Sequence, residues 1–447
     1  MQLFTGKRGS GIFAPCLLVF IFFLGAKIYP APLSLTLEDA VNRAVAENIN
    51  LQKSVMDLEL AQYRVDNLWS ELFPSFSLTG GFTLLPATPL FTEPGFSFNE
   101  RGQSYSITFG ITMQLNAGIP HSMRLTELAY HRGLLDFENA RRRLSIDITK
   151  TFNTLLAAKE NLANLEETLN LAERQLEKNR IARANGLIGE LPWLQSRLSV
   201  ETARFNLLNN QSSYNNSLRE FLTILGLDRN LDVVLEGSIS PVPVTLDPEA
   251  LILEYLPRRP DIVNQRLTIE RLELSRTQSN MSAKAPSLSL SASWSGNPQR
   301  NTGLTGRFRD SLSGSLSVTV PIDPWIPGTR SNQSLRSVDV ELEKARLDLV
   351  NTESTARSNI RNLTESIRNS WNSIEIAKLR VEIAQRTYEL SDAGFQSGVV
   401  EYLSLENTRN DLADAQFRLL QSELAYLNLL LDLASALNVD LETLTRS

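Results

Sequence analysis

From Gly328 to the C terminus the chain contains no proline, and its only glycines beyond Gly328 are Gly394 and Gly398. Ahead of that glycine pair, Ile360, Leu363, Ile367, Ser370, Ile374, Ala377, Val381, Ala384 and Tyr388 recur at alternating spacings of three and four. This is the 3.5-residue period of helices packed side by side as a coiled coil. Beyond the pair, Leu405 to Leu437 is again helical in pattern. An uninterrupted helix over about 329–393 would be about 97 Å long at 1.5 Å per residue, several times an ordinary globular helix. Any fold for this chain must therefore accommodate a rod that doubles back at a glycine-marked turn.

The N-terminus reads as a secretory signal. Lys7 and Arg8 form a basic start, and Ile12 to Gly25 an apolar core too short for a membrane span. Residues 1–31 are expected to be removed, with cleavage after Ala26 or Ala31. Losing Lys7, Arg8 and Lys27 leaves 44 − 3 = 41 basic residues against 50 acidic ones, a net charge of −9. That mildly acidic balance gives no reason to expect a nucleic-acid partner. Cys16, the only cysteine, lies early in the apolar core behind Phe13-Ala14-Pro15, which does not fit a lipidation box. The mature chain then has neither a disulfide framework nor a thiolate metal site. The mean hydropathy of −0.15 argues against a helical membrane protein.

After the leader, Thr36 to Leu72 reads as a helix capped by Thr36 or Ser34 and ended by Pro74. The period then changes. Phe76, Leu78, Gly80, Phe82 and Leu84 alternate with Ser77, Thr79, Gly81 and Thr83, the mark of a strand with one apolar and one polar face. Residues 86–103 read as a loop. A second strand follows, Tyr105, Ile107, Phe109, Ile111, Met113 and Leu115 alternating with Ser, Thr, Gly, Gln and Asn. Residues 121–191 lack proline and repeat the coiled-coil step at Leu162, Leu165, Leu169, Ala172 and Leu176. The chain turns at Gly186 and Gly189, and a helix runs from about Pro192 to Leu225.

The pattern then recurs. After a linker over 227–248 come a helix over 249–284, a strand alternating Leu288, Leu290, Ala292 and Trp294 with serines, a polar loop, and a strand alternating Leu312, Gly314, Leu316, Val318 and Val320 with serines. The long rod closes the series. The halves align at an offset of 212. Pro74, Ser75, Ser77 and Leu78 match Pro286, Ser287, Ser289 and Leu290, and Gly186 matches Gly398. Arg197, Ala203, Phe205, Leu207, Leu208 and Tyr214 match Arg409, Ala415, Phe417, Leu419, Leu420 and Tyr426. One unit has been duplicated. The expected organisation is a signal peptide over 1–31 and a first repeat over 32–226, with hairpin 75–117 and coiled coil 120–226. A linker over 227–248 in the equatorial region leads to a second repeat over 249–447, with hairpin 287–321, coiled coil 328–437 and a C-terminal tail.

Each strand has the length and the alternation of a membrane-spanning barrel strand. A row of serines fills no core but lines water well. Four strands cannot close a barrel, and open edges are not tolerated in lipid, so the barrel must be shared between copies: two supply eight strands, three supply twelve. A water-filled pore favours the larger number. The rods carry stretches such as Arg141-Arg142-Arg143 and Glu341 to Asp348, too charged for lipid, and must project into water on one side of an outer membrane. The fold class is mainly α with membrane β.

Four stretches carry a family likeness. Leu35-Thr36-Leu37-Glu38-Asp39-Ala40, Leu72-Phe73-Pro74-Ser75-Phe76-Ser77, Arg258-Arg259-Pro260-Asp261 and Gly398-Val399-Val400-Glu401-Tyr402-Leu403 resemble the TolC-like outer-membrane efflux proteins, and the likeness extends over essentially the whole mature chain. It implies a homotrimer with a twelve-stranded barrel in outer-membrane lipid and a long periplasmic α-barrel. It also implies a periplasmic adaptor and an inner-membrane pump of the RND, ABC or MFS class as partners, with no cofactor. Asn185, Gly186 and Leu187 and Ser397, Gly398 and Val399 resemble the tips that contact the adaptor. The family's acidic constriction falls by register on Ser404 and Asn407, neither of which is charged. Glu401, Glu406 and Glu190 are the nearest carboxylates. Three symmetry copies of one of them would focus a negative potential, repel one another and favour cations.

Other chemistry finds no support in the sequence. His121 and His131 have no cysteine partner, and no phosphate-loop, nucleophile-elbow or zinc-protease motif occurs. The apolar Leu424 to Leu437 contains Asn428 and Asp432 and reads as interface core rather than a membrane span. An exit duct without enzymatic activity is the expected function. A periplasmic coiled-coil adaptor or structural envelope protein is the alternative, but would lack paired membrane-length strands.

Overall fold

The computed structural model describes residues 33–85, 89–92, 95–98, 102–298 and 308–445. The expected signal peptide and most of the second hairpin's polar loop lie outside them. Strand β1 (Leu33–Leu35) leads into α1 (Leu37–Glu47), capped by Thr36, whose Oγ1 accepts from the Asp39 N–H at 3.2 Å. The single helix expected over 36–72 is broken. Asn48 ends α1 by donating its N–H to Ala44 O, and its own Oδ1 caps α2 (Ile49–Asp66) by accepting from Asn50 and Leu51. A 3-10 turn over Leu68–Leu72 completes the stretch.

Strand β2 (Ser75–Leu85) follows Pro74. The loop expected over 86–103 instead contains two short strands, β3 (Pro89–Thr92) and β4 (Gly95–Phe98), paired antiparallel, and β5 (Gly102–Leu115) starts earlier than its alternation suggested. The first helical hairpin is α3 (Ile119–Ala184) and α4 (Glu190–Ile224). The linker contains β6 (Val233–Leu235), parallel to β1. Neither three-residue strand shows a period in the sequence, because three residues are too few to establish one.

The second half begins with α5 (Pro248–Tyr255) and α6 (Pro260–Lys284). These replace the one helix expected over 249–284. Pro257 and Pro260 remove two amide donors and enforce the 3-10 step Leu256–Arg258 between them. Strands β7 (Ser287–Pro298) and β8 (Phe308–Thr319) come next. The second helical hairpin is α7 (Arg330–Gln396) and α8 (Tyr402–Leu437), and α9 (Leu441–Thr445) ends the described chain. Helix α7 runs through Gly394, so the break is confined to the residues around Gly398. Among the described residues no helix is long and apolar enough to cross a membrane.

The 212-residue offset recurs in the element starts and in the packing. Strands β2 and β7 begin 287 − 75 = 212 residues apart, and so do α4 and α8, at 402 − 190 = 212. Each half has its own core where its hairpin meets its short helices. In the first, Ala40 and Ala44 of α1 pack with Ile148 and Leu155 of α3, Phe221 of α4 and Leu225, the residue that caps α4. In the second, the residues at the same offset do the same: Ile252 and Leu256 with Ile360 and Ile367 of α7 and Leu433 and Leu437 of α8. Even the helix ends correspond. Gly226 closes α4 at φ 70° and Asn438 closes α8 at φ 59°, since Asn tolerates the left-handed region better than other side-chain-bearing residues. The apolar end of α8 is thus packed inside its own half, and Tyr426, fully buried, donates its hydroxyl to Val242 O at 2.9 Å and ties down the linker.

The four long strands form one antiparallel sheet in the order β2-β5-β7-β8. Its register places Ser77, Gly110, Ser293 and Ser313 in one row and Ser75, Thr112, Ser291 and Ser315 in the next. Cross-strand hydroxyl pairs Ser291–Ser315, Ser293–Ser313 and Ser295–Ser311 at 2.7–2.9 Å knit this face. The opposite face carries Leu78, Phe109, Leu290, Leu312 and Leu316, and Leu312 is 81% exposed. A sheet that is polar on one side and openly apolar on the other separates water from lipid.

Candidate functional site

The two hairpin tips lie at the far ends of α3–α4 and α7–α8, and both close in the same way. Helix α3 ends with Leu187 N–H on Ala182 O at 2.9 Å and Gly186 N–H on Arg183 O at 2.9 Å. Helix α7 ends with Val399 N–H on Gly394 O at 2.9 Å and Gly398 N–H on Phe395 O at 3.1 Å. This double bond pattern needs a left-handed residue at the turn. Gly186 and Gly398 supply it, at φ 72° and 77°, with open space around them. Asn185 and Ser397 are the C-caps just before these glycines. The turns leave Leu187 and Val399 pointing into solvent, Val399 at 83% exposure. The six tip residues read from the sequence are thus brought to two matching, projecting knuckles.

The carboxylates singled out by sequence have three different surroundings. Glu190, in the first turn of α4, pairs with Arg183 across the tip at 3.0 Å, and that guanidinium lies 4.3 Å over the Trp193 ring. Glu401 is the N-cap of α8, exposed, with no side-chain capping bond. Ser404 and Asn407 are exposed on the following turns. Glu406 faces the other way, into the space between the two hairpins.

There Glu406 belongs to a cluster that sequence reading did not assemble. Arg409, one turn further along α8 and only 6% exposed, forms an ion pair with Glu406 and donates to Ser199 Oγ of α4 at 2.6 Å. Ser199 donates in turn to Glu406 Oε1 at 2.8 Å, and Tyr402 donates its hydroxyl to Oε2 at 3.1 Å. Burial pushes the Tyr402 hydroxyl well above the usual tyrosine value, and the neighbouring Glu406 carboxylate adds to the shift. The i, i+3 spacing of Glu406 and Arg409 was visible. Ser199, 210 residues away from Arg409, was not, and only the packing of α4 beside α8 reveals it. Arg197, which lies 212 residues before Arg409, is exposed, so the first half does not reproduce this cluster at the equivalent position. The described residues contain no group of acidic, His or Cys side chains arranged to hold a metal.

Against this geometry, comparison with known sequence families matches the outer membrane efflux protein family over residues 40–227 and again over 251–439. The chain belongs to the outer membrane efflux protein family. The two matched segments fall in the two halves that align at the 212-residue offset. No curated protein is matched by sequence. Among solved structures, this efflux protein is similar to a membrane protein from Pseudomonas aeruginosa, with TM-score 0.70, 19% identity and 90% of each chain covered. It is also similar to the CmeC outer membrane channel of Campylobacter jejuni, with TM-score 0.70, 17% identity and 92% of this chain against 88% of that one. A third similar structure is the outer membrane protein VceC of Vibrio cholerae, with TM-score 0.69, 16% identity, and 91% and 96% covered. At these identities the structures establish the fold, and the family places the protein in the outer membrane with its helical part in the periplasm.

Proposed function

We propose that this efflux protein is the outer-membrane exit duct of a tripartite efflux or type I secretion system. The observation that carries the reading is the sheet. Strands β2 and β8 are its edges, each with its outer side without a strand partner among the described residues, while one face is apolar and the other is lined by Ser and Thr. In lipid such edges must be paired. Three copies joined β2 to β8 close a twelve-stranded barrel with its hydroxyl face around water and its leucine face toward lipid. The α3–α4 and α7–α8 hairpins then continue the conduit into the periplasm.

In this reading the knuckles at Gly186 and Gly398 receive a periplasmic adaptor, which joins the duct to an RND, ABC or MFS pump in the inner membrane. Glycine lets a partner backbone approach closely, and the exposed Leu187 and Val399 offer an apolar contact. Glu401, together with Ser404, Asn407 and Glu190, surrounds the mouth, and three copies of Glu401 give the constriction its negative potential. Glu406 acts through the Arg409–Ser199 cluster, which holds the second hairpin to the first. The duct performs no chemical step. A periplasmic adaptor would have no use for a sheet with one lipid-compatible face.

The test is assembly followed by contact. Purified from outer membranes, the protein should run as a heat-resistant trimer and conduct ions in a planar bilayer. Val399→Cys should crosslink to an adaptor in cells, and Gly398→Asp should abolish that crosslink without lowering trimer yield. A monomeric, non-conducting protein would overturn the reading.

A further inference from the structure

A second polar site lies away from the tips, where α3, α6, α7 and α8 meet. It is a cavity of about 330 Å³, lined by Asn139, Arg142 and Arg143 of α3, Arg259 and Asp261 at the head of α6, Asn359 of α7 and Asp432 of α8. Both carboxylates in its wall are already matched. Asp261 receives two parallel bonds from Arg259, at 3.0 and 2.7 Å. Asp432 takes the Lys150 ammonium at 2.5 Å. Arg142 spends one nitrogen on the Asn438 carbonyl, which is uncharged, and neither Arg142 nor Arg143 has a carboxylate partner among the described residues. Two guanidinium charges are therefore left over in one concavity of a chain whose net charge is −6.

Two further features add to this. Arg259 is only 7% exposed, and its Nη1 has no hydrogen-bond partner. A buried donor left unpaired is costly, the more so when charged, so such groups are normally satisfied by something. The cavity wall also includes Pro260 and Asp261, the first turn of the 25-residue α6, whose N-terminal dipole end favours negative charge. Guanidinium forks match the oxygen spacing of phosphate and carboxylate, and Asn139 and Asn359 can add neutral donors.

We infer that this cavity binds a small, multiply charged oxyanion, phosphate or a polycarboxylate, held between Arg142, Arg143 and the Arg259 side of α6. The bound anion would join four helices contributed by both repeats, and so would stiffen the junction from which the helical hairpins extend. With both carboxylates of its wall already paired, the cleft keeps an excess of positive charge, which concentrates anions from solution. The site is independent of what docks at the tips.

The experiment uses the full-length protein in detergent, with inorganic phosphate and citrate as separate probes, each compared with chloride at the same ionic strength. Thermal unfolding should shift upward saturably, by several degrees, with at least one probe. A shift with phosphate alone identifies a phosphate site, and one with citrate alone a carboxylate site. Arg143→Ala is the decisive variant because Arg143 makes no hydrogen bond or ion pair among the described residues. It should keep the unliganded midpoint and weaken the apparent affinity at least tenfold, while Arg174→Ala, on the distal part of α3, should leave it unchanged. No shift beyond chloride, or an equal shift in Arg143→Ala, would overturn the proposal. So would a trimer structure with an acidic side chain of a neighbouring copy seated in the cavity.

Discussion

Arg409 on α8 donates to Ser199 Oγ on α4 at 2.6 Å, and through this contact a buried ion pair of the second repeat is attached to the first. Removing one member of a buried pair costs about 3–5 kcal/mol, because the other charge is left unpaired. Arg409→Met should therefore lower the local opening free energy of the tip by about 3 kcal/mol, read as faster amide exchange over 196–203 and 402–412. Glu406→Leu combined with Arg409→Met should recover much of that loss. Equal exchange in the single and double variants would mean the pair is not what joins the hairpins.

Charge at the mouth should be separable from stability at the mouth. Glu401 is exposed and has no ion-pair partner among the described residues, whereas Glu406 is matched by Arg409. In single-channel recordings Glu401→Gln should shift the reversal potential toward lower cation preference. Glu406→Gln should instead reproduce the exchange behaviour of Arg409→Met. A reversal potential unmoved by Glu401→Gln would remove this residue from the constriction.

The tip glycines should be replaceable at a cost set by backbone alone. A Cβ at Gly186 or Gly398 meets nothing within 4 Å, yet φ is 72° and 77°. An alanine forced into that region costs about 1–2 kcal/mol. Gly398→Ala should lose about that much local stability, and Gly398→Asn less, as Asn438 already shows at the end of α8. Amide exchange at Val399 and Val400 gives the measurement.

The two faces of the sheet should respond oppositely to charge. Leu316→Arg places a cation on the lipid face, at a cost of about 2–4 kcal/mol near mid-membrane, and should reduce the yield of heat-resistant oligomer. Ser313→Arg lies on the hydroxyl face and should assemble, with altered conductance. Equal yields would show that the apolar face does not meet lipid.

Tyr402 should ionise late. Its folded-state value is raised by burial and by Glu406, so it affects stability in one direction only. Below about pH 10, the value of a free tyrosine, the protonated group is present in both states and the folded state keeps its full stability. As pH rises beyond that and through the folded value, the unfolded state gains by losing the proton and stability falls. Tyr402→Phe should abolish that part of the alkaline loss. It should also remove a late component from the ultraviolet titration of tyrosinate. A titration in which every tyrosine ionises near pH 10 would contradict the arrangement.

Much of this architecture is written in local periodicity. The seam from Ile360 to Tyr388 and the seam from Leu162 to Leu176 are buried or half-buried along their whole length. The alternation of Leu288 to Trp294 with serine became one face of β7. The 212-residue offset recurs in cores, helix starts and helix ends. Boundaries were less legible. Asn48 both ends and starts a helix: its side-chain oxygen suits it to cap α2, but a capping residue inside a continuous helical pattern does not by itself mark a break. The step at Leu256–Arg258 is foreshadowed by Pro257 and Pro260, but a helical pattern runs across it.

What the sequence by itself determined is therefore the long helices and long strands, the 212-residue offset between the halves, the two faces of the strands and the glycines of the turns, because each follows from a repeat of a few residues acting on its own stretch of backbone. What only the tertiary structure decided is partnership. It paired β1 with β6, turned Glu406 away from the exposed side occupied by Glu401, Ser404 and Asn407, brought Ser199 to Arg409, and gathered Arg142, Arg143 and Arg259 around one cavity. Such contacts join residues up to about two hundred positions apart, and no local period records them. They arise when amphipathic helices bury their apolar seams and their polar flanks come within hydrogen-bond reach.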